Sequence, residues 1–292
     1  MRTSTEINSI AKVTGEEKAV ELVAKAGFDA WDFSMTKMWE WSEADKMRIF
    51  TDHPIAQDNY LEFARRLRRI GEDNGIVCNQ SHAPFPCFAD KYEHNEKFLK
   101  RSIEATAEAG GEICVIHPSC YDTPEVNAEM YSKLLPFAKE HNVKIATENM
   151  WGWDTAKDEA TPLACSPHTN FKAHLDALPD DFYVACVDIG HAEMKGTLTS
   201  AVDMIYTLGD KVEALHIHDV DLKHDNHEIP FSLNVDFEAV AKALRDIGYK
   251  GWYTLEAVHY LDKFDETNVF RGVCDLYESC AKFEKMVIGE SK

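Results

Sequence analysis

The sequence predicts a single (β/α)8 barrel, built as one domain over residues 1–292. Three observations predict it. Eight short apolar runs alternate with helical patterns, the length of 292 residues is close to that of eight such units, and no linker rich in Pro, Gly or Ser divides the chain. The alternative is a doubly wound open sheet, but that fold usually carries a glycine-rich first turn, and neither GxGxxG nor GxxxxGKS/T occurs.

Helical and strand-like patterns alternate from the amino terminus onward. Residues 16–27 place apolar side chains on one helical stripe that stops at Gly27, and the short run FDAWDFSM follows. The same spacing predicts helices within residues 61–75, 95–111, 128–142, 201–208 and 237–248. A first strand near residues 3–9 and seven later runs give eight strands: FDAWDFSM, IVCNQSH, EICVIHP, VKIATEN, DFYVACVDIGH, VEALHIHDVD and GWYTLEA.

Two irregular stretches, residues 39–58 and 151–168, each follow a predicted strand. In a barrel, the segments after the strands lie at the carboxyl ends of the strands, where active sites form. We therefore expect both stretches as loops on the catalytic face.

The charge balance argues against several classes of partner. The chain has 51 Asp and Glu against 31 Lys and Arg, a formal charge of −20. This charge repels polyanions, so nucleic acid and anionic membranes are not expected partners.

A cytoplasmic location is expected from three features of the chain. No run approaches the roughly 18 apolar residues that span a bilayer, and the start lacks the layout of a secretory signal. The eight cysteines include no CxxC pair, and we expect them to be free and mostly buried thiols.

Side chains typical of metal ligands stand at the ends of the later apolar runs. Positions 82, 117, 148, 188, 218 and 256 lie 30 to 40 residues apart, which is about one βα unit each. In a barrel these carboxylates and imidazoles would surround one cavity and repel each other unless a cation lies among them. The residues are His82, His117, Glu148, Asp188, His191, His216, His218 and Glu256.

The ligand types predict a divalent metal cofactor. A single strand-end His or Glu is more typical of a structural residue, but several in consecutive units, with few basic partners, favour a metal site. Carboxylate oxygens and imidazole nitrogens suit Mn, Zn, Co or Mg, and the absence of Cys at these strand ends argues against a closed structural zinc site. We expect the site to be catalytic.

Four motifs in the order VIHPS, TENMWG, CVDIGHAEMKG and HIHDVDLKHDNH resemble the xylose isomerase-like TIM barrels. This superfamily joins sugar and sugar phosphate isomerases and epimerases with endonuclease IV. The resemblance covers nearly the whole chain and implies one catalytic cation held by Glu148, Asp188, a His of the seventh strand and Glu256. Either His216 or His218 matches that His. We favour His218, because it lies nearer the carboxyl end on the same side of the strand.

The resemblance also implies additional ligands. His191 resembles a family residue that contacts substrate or a second metal. His82 and His117 resemble histidines of the trinuclear zinc members, and Asp225 and His227 resemble their D-x-H pair. These residues, together with the other candidate His216, are consistent with two or three metal ions.

As function, the resemblance implies a divalent-metal-dependent isomerase or epimerase of a ketose or related sugar or sugar phosphate. Protons would be transferred through a metal-stabilised enediolate, with Glu148 and Glu256 as the catalytic carboxylates. The expected partner is a small-molecule sugar, and a homo-oligomer is expected. Substrate contacts are expected from four residues: His82, His117, His191 and Trp151. Three further tryptophans are candidates to cover a sugar ring: Trp39, Trp41 and Trp153.

Three alternatives stay open. The first is an endonuclease IV-like phosphodiesterase, although the acidic segments EWSEADK, DTAKDEATP and YLDKFDET oppose a phosphate backbone. The second is a keto-sugar or cyclitol lyase or dehydratase, and the third is a non-catalytic sugar-binding protein. Two departures from the family pattern bear on the substrate. IPFSLN replaces a G-x-G after the seventh strand, and no Arg stands beside the seventh-strand motif.

Overall fold

The computed structural model describes residues 2–289, in which parallel strands alternate with helices. The barrel strands are β1 (Thr3–Glu6), β2 (Ala30–Ser34), β3 (Val77–His82), β4 (Ile113–Val115), β5 (Lys144–Glu148), β6 (Tyr183–Asp188), β7 (Val212–His216) and β8 (Tyr253–Leu255). The helices are α1 (Asn8–Thr14), α2 (Glu16–Ala26), α3 (Tyr60–Asp73), α4 (Tyr92–Ala109), α5 (Pro124–Glu140), α6 (His168–Asp176), α7 (Ile189–Glu193), α8 (Ala201–Leu208), α9 (Phe237–Asp246) and α10 (Val269–Ile288).

The eight strands form a parallel sheet that closes into a barrel. Their order is β7-β6-β5-β4-β3-β2-β1-β8. Hydrogen bonds of Ile217 join the two ends of this order: its N–H donates to the Thr254 carbonyl oxygen at 2.9 Å, and its carbonyl accepts the Glu256 N–H at 3.0 Å. The predicted (β/α)8 barrel is confirmed, and all strand carboxyl ends meet on one face.

Local sequence explains where the helices begin and end. Thr123 caps α5 by accepting the Val126 N–H, and Pro124 occupies the first turn, where its missing N–H costs nothing. Helix α2 ends at Gly27, whose φ of 111° favours glycine, and the Tyr277 ring lies 3.0 Å from where a Cβ would stand.

The barrel interior has an apolar side and a polar side. Strands β4 to β7 contribute a small apolar cluster: Ile113, Val115, Ala146, Val184, Cys186 and Ala214. Strands β8, β1, β2 and β3 contribute buried polar residues, of which Ser4, Asn79 and Thr254 are joined by hydrogen bonds of 2.6 and 2.9 Å. Because Ser4, Asn79 and Thr254 are hydrogen-bonded to one another, the barrel interior tolerates these three polar side chains.

The two stretches predicted as loops fold into β-hairpins. Trp39–Ser42 pairs with Met47–Phe50, and Trp151–Asp154 pairs with Glu159–Pro162. Their position on the catalytic face agrees with the prediction, whereas the predicted absence of regular structure is wrong. The hairpin strands were not predicted because each has only four residues and the polar turns EADK and TAKD interrupt the alternating pattern.

Two further findings concern the cysteines and the membrane prediction. All eight cysteines are free, and six of them are buried. Within residues 2–289, no helix has the length and apolar character that crossing a bilayer demands.

Candidate active site

Glu148, the last residue of β5, lies at the centre of the cluster of polar side chains. Its Oε2 is 3.1 Å from His117 Nε2 and 3.6 Å from His82 Nε2, and its Oε1 is 3.1 Å from His216 Nδ1. Burial opposes ionisation of this carboxyl, but the imidazoles of His216 and His117 outweigh burial and hold the pKa of Glu148 well below its ordinary value. An ionised carboxylate is therefore buried between imidazoles from three strand ends.

The first ligand group consists of Glu148, Asp188, His216 and Glu256. Each residue offers one oxygen or nitrogen atom, and these four atoms lie within 4.8 Å of one another. They come from the ends of β5, β6 and β7 and from the residue after β8, as parallel strands of a barrel require. The first three are buried and Glu256 is partly exposed, so the group opens to solvent on the Glu256 side.

The second ligand group shares Glu148 with the first and adds His82 and His117. His82 donates its Nδ1–H to the Ala83 carbonyl oxygen at 2.8 Å, which leaves its Nε2 lone pair facing His117 Nε2 at 2.9 Å. Burial lowers the pKa of His117. Paired imidazole nitrogens beside a carboxylate oxygen form a ready set of ligands for a cation.

The third ligand group lies on the other side of Asp188 and contains His191, His218, Asp225 and His227. Asp225 Oδ2 is 3.4 Å from His191 Nε2 and 3.1 Å from His227 Nε2. Both rings donate Nδ1–H to backbone carbonyl oxygens, those of Asn149 at 3.0 Å and of Glu256 at 2.7 Å, so their Nε2 atoms face the carboxylate.

Ion pairing in the third group shifts the pKa values of its members. Burial disfavours charge on His227, but the Asp225 carboxylate raises the pKa of His227 to about 9. Burial likewise opposes ionisation of Asp225, yet His191 and His227 hold the pKa of Asp225 far below its ordinary value. Without a cation, protons on the imidazoles balance the carboxylate charge.

The structure brings His216, rather than the expected His218, into the first group. Strand β7 ends at His216, Ile217 still pairs with Leu255 of β8, and Asp219 then pairs with Glu228 at the far end of the segment that carries Asp225. His218 Nε2 therefore lies 3.0 Å from Asp188 and 3.7 Å from Asp225, in the third group. The sequence argument placed both histidines at one strand end, but the strand stops between them.

Gly190 makes room for His218, and the sequence analysis missed its role. A Cβ at Gly190 would stand 2.0 Å from His218 Cε1. The glycine within the motif CVDIGH was the available signal, because a glycine between two metal-type ligands indicates close approach of another group.

Two further site residues were also missed. Asn149 joins β5 to β6, because its Oδ1 accepts the Asp188 N–H at 2.8 Å and its Nδ2 donates to the Asp188 carbonyl at 2.9 Å. Cys186 Sγ lies within 4.8 Å of ligand atoms of Glu148 and His216. Burial raises the pKa of Cys186 to about 12, so its thiol stays protonated and is a poor ligand at neutral pH.

Aromatic side chains surround part of the site. The Trp151 ring centroid lies 6.3 Å from that of His191, and Trp153 stacks on His224 at 5.8 Å. Phe85, which the sequence analysis did not select, stacks on His117 at 4.7 Å and is 46% exposed. Of the expected tryptophans, Trp39 packs under the Arg48 guanidinium at 4.2 Å.

Trp41 is 52% exposed and lies on the first hairpin. Its cross-strand partner is Arg48. Trp41 therefore belongs to the first hairpin and to none of the three ligand groups.

The donor set fits a divalent cation. Four buried atoms of the ligand groups accept or donate no hydrogen bond within residues 2–289: Glu148 Oε2, His216 Nε2, His218 Nδ1 and Asp225 Oδ1. In the same part of the chain, the ion-pair partners of the site carboxylates are histidines, with no Lys or Arg among them. Clustered carboxylates that lack a permanent cation are costly to bury, and a bound metal ion would offset that cost.

Comparisons with known proteins agree with the barrel. The chain is 23% identical over 286 residues to the uncharacterized protein MJ1311 of Methanocaldococcus jannaschii, covering 92% of this chain and 88% of that protein. A crystal structure of a D-tagatose 3-epimerase-like protein has a TM-score of 0.71 at 18% identity and covers 99% of both chains.

A second crystal structure, of D-psicose 3-epimerase in the presence of D-fructose, has a TM-score of 0.68 at 16% identity and covers 99% of this chain and 100% of the other. At these identities the similarity to solved structures shows the fold. The model of the family described as xylose isomerase-like TIM barrel matches residues 20–273. The resemblance indicated by the four motifs is thereby confirmed, and the chain belongs to the xylose isomerase-like TIM barrel family.

Proposed function

We propose that this protein is a divalent-metal-dependent isomerase or epimerase of a ketose or related small sugar. The observation that carries the proposal is the first ligand group, in which two glutamates from β5 and from the end of β8 share one candidate cation site. The sugar epimerases among the structures of similar fold support the choice of substrate class.

The cation would be held by Glu148, Asp188, His216 and Glu256, with Mn, Zn, Co or Mg suited to these ligands. When bound, it would polarise a substrate carbonyl and acidify the neighbouring C–H group. Glu148 and Glu256 are then the bases that take and return the proton. If each glutamate serves one face of the substrate, the outcome is epimerisation, whereas exchange through a single glutamate gives isomerisation.

Neighbouring side chains would orient the sugar. His117, of the second ligand group, and His191, of the third, border the first group, with ring nitrogens 3.1 and 3.8 Å from the Glu148 carboxylate. Trp151 lies beside His191, and the exposed ring of Phe85 covers His117. Such aromatic faces suit the apolar face of a sugar ring.

A neutral sugar is favoured over a sugar phosphate. A phosphate requires basic side chains or helix N-termini near the cavity. Within residues 2–289, the site carboxylates are paired with histidines, while Lys223, the basic residue of the nearby 219–228 segment, is paired with Asp158. We further propose that the protein forms a homo-oligomer, which sedimentation velocity measures directly.

Isotope exchange tests the proposed function. Metal-stripped protein is reloaded separately with Mn, Co, Zn or Mg and incubated in deuterated water with a panel of ketoses. Loss of the proton next to the carbonyl is followed by NMR. We expect exchange in the reloaded protein and none after stripping. The absence of exchange and of sugar conversion with every metal and ketose would contradict the proposal.

An endonuclease IV-like phosphodiesterase is the second candidate, because all three ligand groups are present and contiguous through Glu148 and Asp188. The net charge of −20 opposes binding to a DNA backbone, so we rank this activity second. Nicking of an abasic-site duplex by the metal-loaded protein, without exchange on ketoses, would favour it over the sugar reaction.

A further inference from the structure

Asp32 lies behind His216 on the side away from the candidate cation site. Its Oδ2 is 3.6 Å from His216 Nε2. The other ring nitrogen, Nδ1, faces Glu148 at 3.1 Å and Glu256 at 3.6 Å. The imidazole therefore stands between a carboxylate on β2 and the carboxylates of the first ligand group.

A buried hydrogen-bond network holds Asp32 in this place. Gln80 donates its Nε2–H to Asp32 Oδ2 at 3.0 Å, and its Oε1 accepts from Asn79 and Thr254 at 3.3 Å each. Asn79 also accepts from Ser4 at 2.6 Å. All of these side chains are buried, and they join β1, β2, β3 and β8. The polar side of the barrel interior thus ends at a candidate metal ligand.

A buried Asp32 carboxylate calls for a basic partner beside the neutral Gln80 amide, and within residues 2–289 that partner is His216. Asp32 is 1% exposed, and its Oδ1 accepts no hydrogen bond from residues 2–289. Within the same residues, His216 is the single basic side chain in ion-pair distance of Asp32. His216 Nε2 in turn has no hydrogen-bond partner at closer range in that part of the chain. The carboxylate oxygen in ion-pair distance of this Nε2 is Asp32 Oδ2, which also accepts from Gln80.

We propose that Asp32 is a positioning residue that keeps the proton of His216 on Nε2 and leaves the Nδ1 lone pair for the divalent cation. A carboxylate behind a ligating imidazole fixes the tautomer and the ring orientation and strengthens the nitrogen as a donor. The inference rests on the proposed function, because it concerns a ligand of the proposed cation site. It adds Asp32 as the residue that orients the His216 ring and determines which ring nitrogen faces the cation.

The test measures metal affinity and fold stability separately. Mn²⁺ binding to the metal-stripped full chain is followed by calorimetry for the wild type and for Asp32→Asn, which keeps the shape and removes the charge. In Asp32→Asn we expect the Mn²⁺ affinity of one binding step to fall at least about tenfold. Substitutions of residues that hydrogen-bond to metal ligands typically lower metal affinity by about 10- to 100-fold. Gln80→Met, which releases Asp32, should weaken the same step less.

Asp29→Asn is the matched control. Asp29 lies one residue before β2, at the opposite end of the barrel, and accepts hydrogen bonds from the Thr3 backbone N–H at 3.0 Å and the Thr3 hydroxyl at 2.8 Å. This variant should lower the melting temperature and leave the Mn²⁺ affinity unchanged. A purely structural Asp32 would behave in the same way.

A spectroscopic readout follows the proton itself. In the Zn²⁺-loaded, ¹⁵N-histidine-labelled wild type, we expect a slowly exchanging ring N–H signal that disappears in His216→Gln and shifts in Asp32→Asn. Mn²⁺ affinity in Asp32→Asn within twofold of wild type, or an unshifted signal, overturns this inference alone. Failure of the wild type to bind any metal overturns both this inference and the proposed function.

Discussion

His82 Nε2 and His117 Nε2 lie 2.9 Å apart, and both nitrogens face the Oε2 atom of Glu148. Two imidazoles and a carboxylate in this arrangement form a second ligand group beside the one formed by Glu148, Asp188, His216 and Glu256. The arrangement offers ligands for a second ion beside the first candidate site, so the number of bound ions is the first quantity to measure.

The first prediction concerns that number. His82→Gln combined with His117→Gln should lower the metal content by one ion per chain relative to the wild type, because both imidazole ligands of the second group are removed. Elemental analysis after saturation with Zn²⁺ and removal of the free metal gives the stoichiometry. His141→Gln, at the carboxyl end of α5 and outside the ligand groups, is the control. Equal metal content in the double variant and the wild type would show that the second group binds no ion.

The second prediction concerns the two glutamates. Glu256→Gln should lower kcat for the sugar reaction by about 10²-fold or more, the usual contribution of a general acid or base, while the melting temperature stays within a few degrees of wild type. Glu213→Gln is the control. Glu213 belongs to none of the ligand groups, and its carboxylate lies 2.6 Å from Lys144 Nζ. Full activity of Glu256→Gln would refute the two-carboxylate assignment.

The third prediction concerns pH. The pKa of His227 is about 9 in the fold, against an ordinary value of 6.5. Its pairing with Asp225 therefore stabilises the metal-free protein fully below pH 6.5, and this stabilisation is lost as the pH rises through 9. We expect the melting temperature of the metal-free protein to fall between pH 6.5 and 9 more steeply in the wild type than in His227→Gln. Parallel curves for the two proteins would be inconsistent with this pairing.

Bound metal should oppose the fall in melting temperature that we expect for the metal-free protein as the pH rises. Ligating imidazoles must be deprotonated, so metal affinity rises with pH where the protons leave. At a free Zn²⁺ or Mn²⁺ concentration of about 100 times Kd, the bound ion adds roughly 2.7 kcal/mol to the free energy of unfolding. Scanning calorimetry with and without chelator should show this as a rise of several degrees in melting temperature. An unchanged melting temperature at saturating metal would contradict the cation site.

The fourth prediction tests the packing of Gly190 against His218. Gly190→Ala places a Cβ about 2.0 Å from the His218 ring, so the ring must move, at a cost of about 1–3 kcal/mol in unfolding free energy. The displaced ring should also weaken metal binding to the third group. Chemical denaturation and metal titration check both effects. Gly152→Ala is the control, since its nearest atom is a side-chain methyl carbon of Thr161 at 3.2 Å.

Local patterns were enough to predict the eight strands and most of the helices. The strands that end in Glu148, Asp188 and His82 could be predicted because a strand buried on both faces is a short apolar run in the sequence. The last residue of each such strand reaches the cavity at the carboxyl ends of the barrel. The two hairpins were missed because each strand has four residues and the turns between them are charged.

The sequence by itself determined the barrel and the residue types that meet at the carboxyl ends of the strands, because these depend on periodicity and on spacing along the chain. The resemblance of its four motifs indicated the family. Only the tertiary structure decided that His216 rather than His218 joins Glu148, and that Asp32 stands behind it. Those choices depend on where β7 stops and on which strands face each other across the barrel. Such contacts join residues far apart in sequence and leave no local pattern.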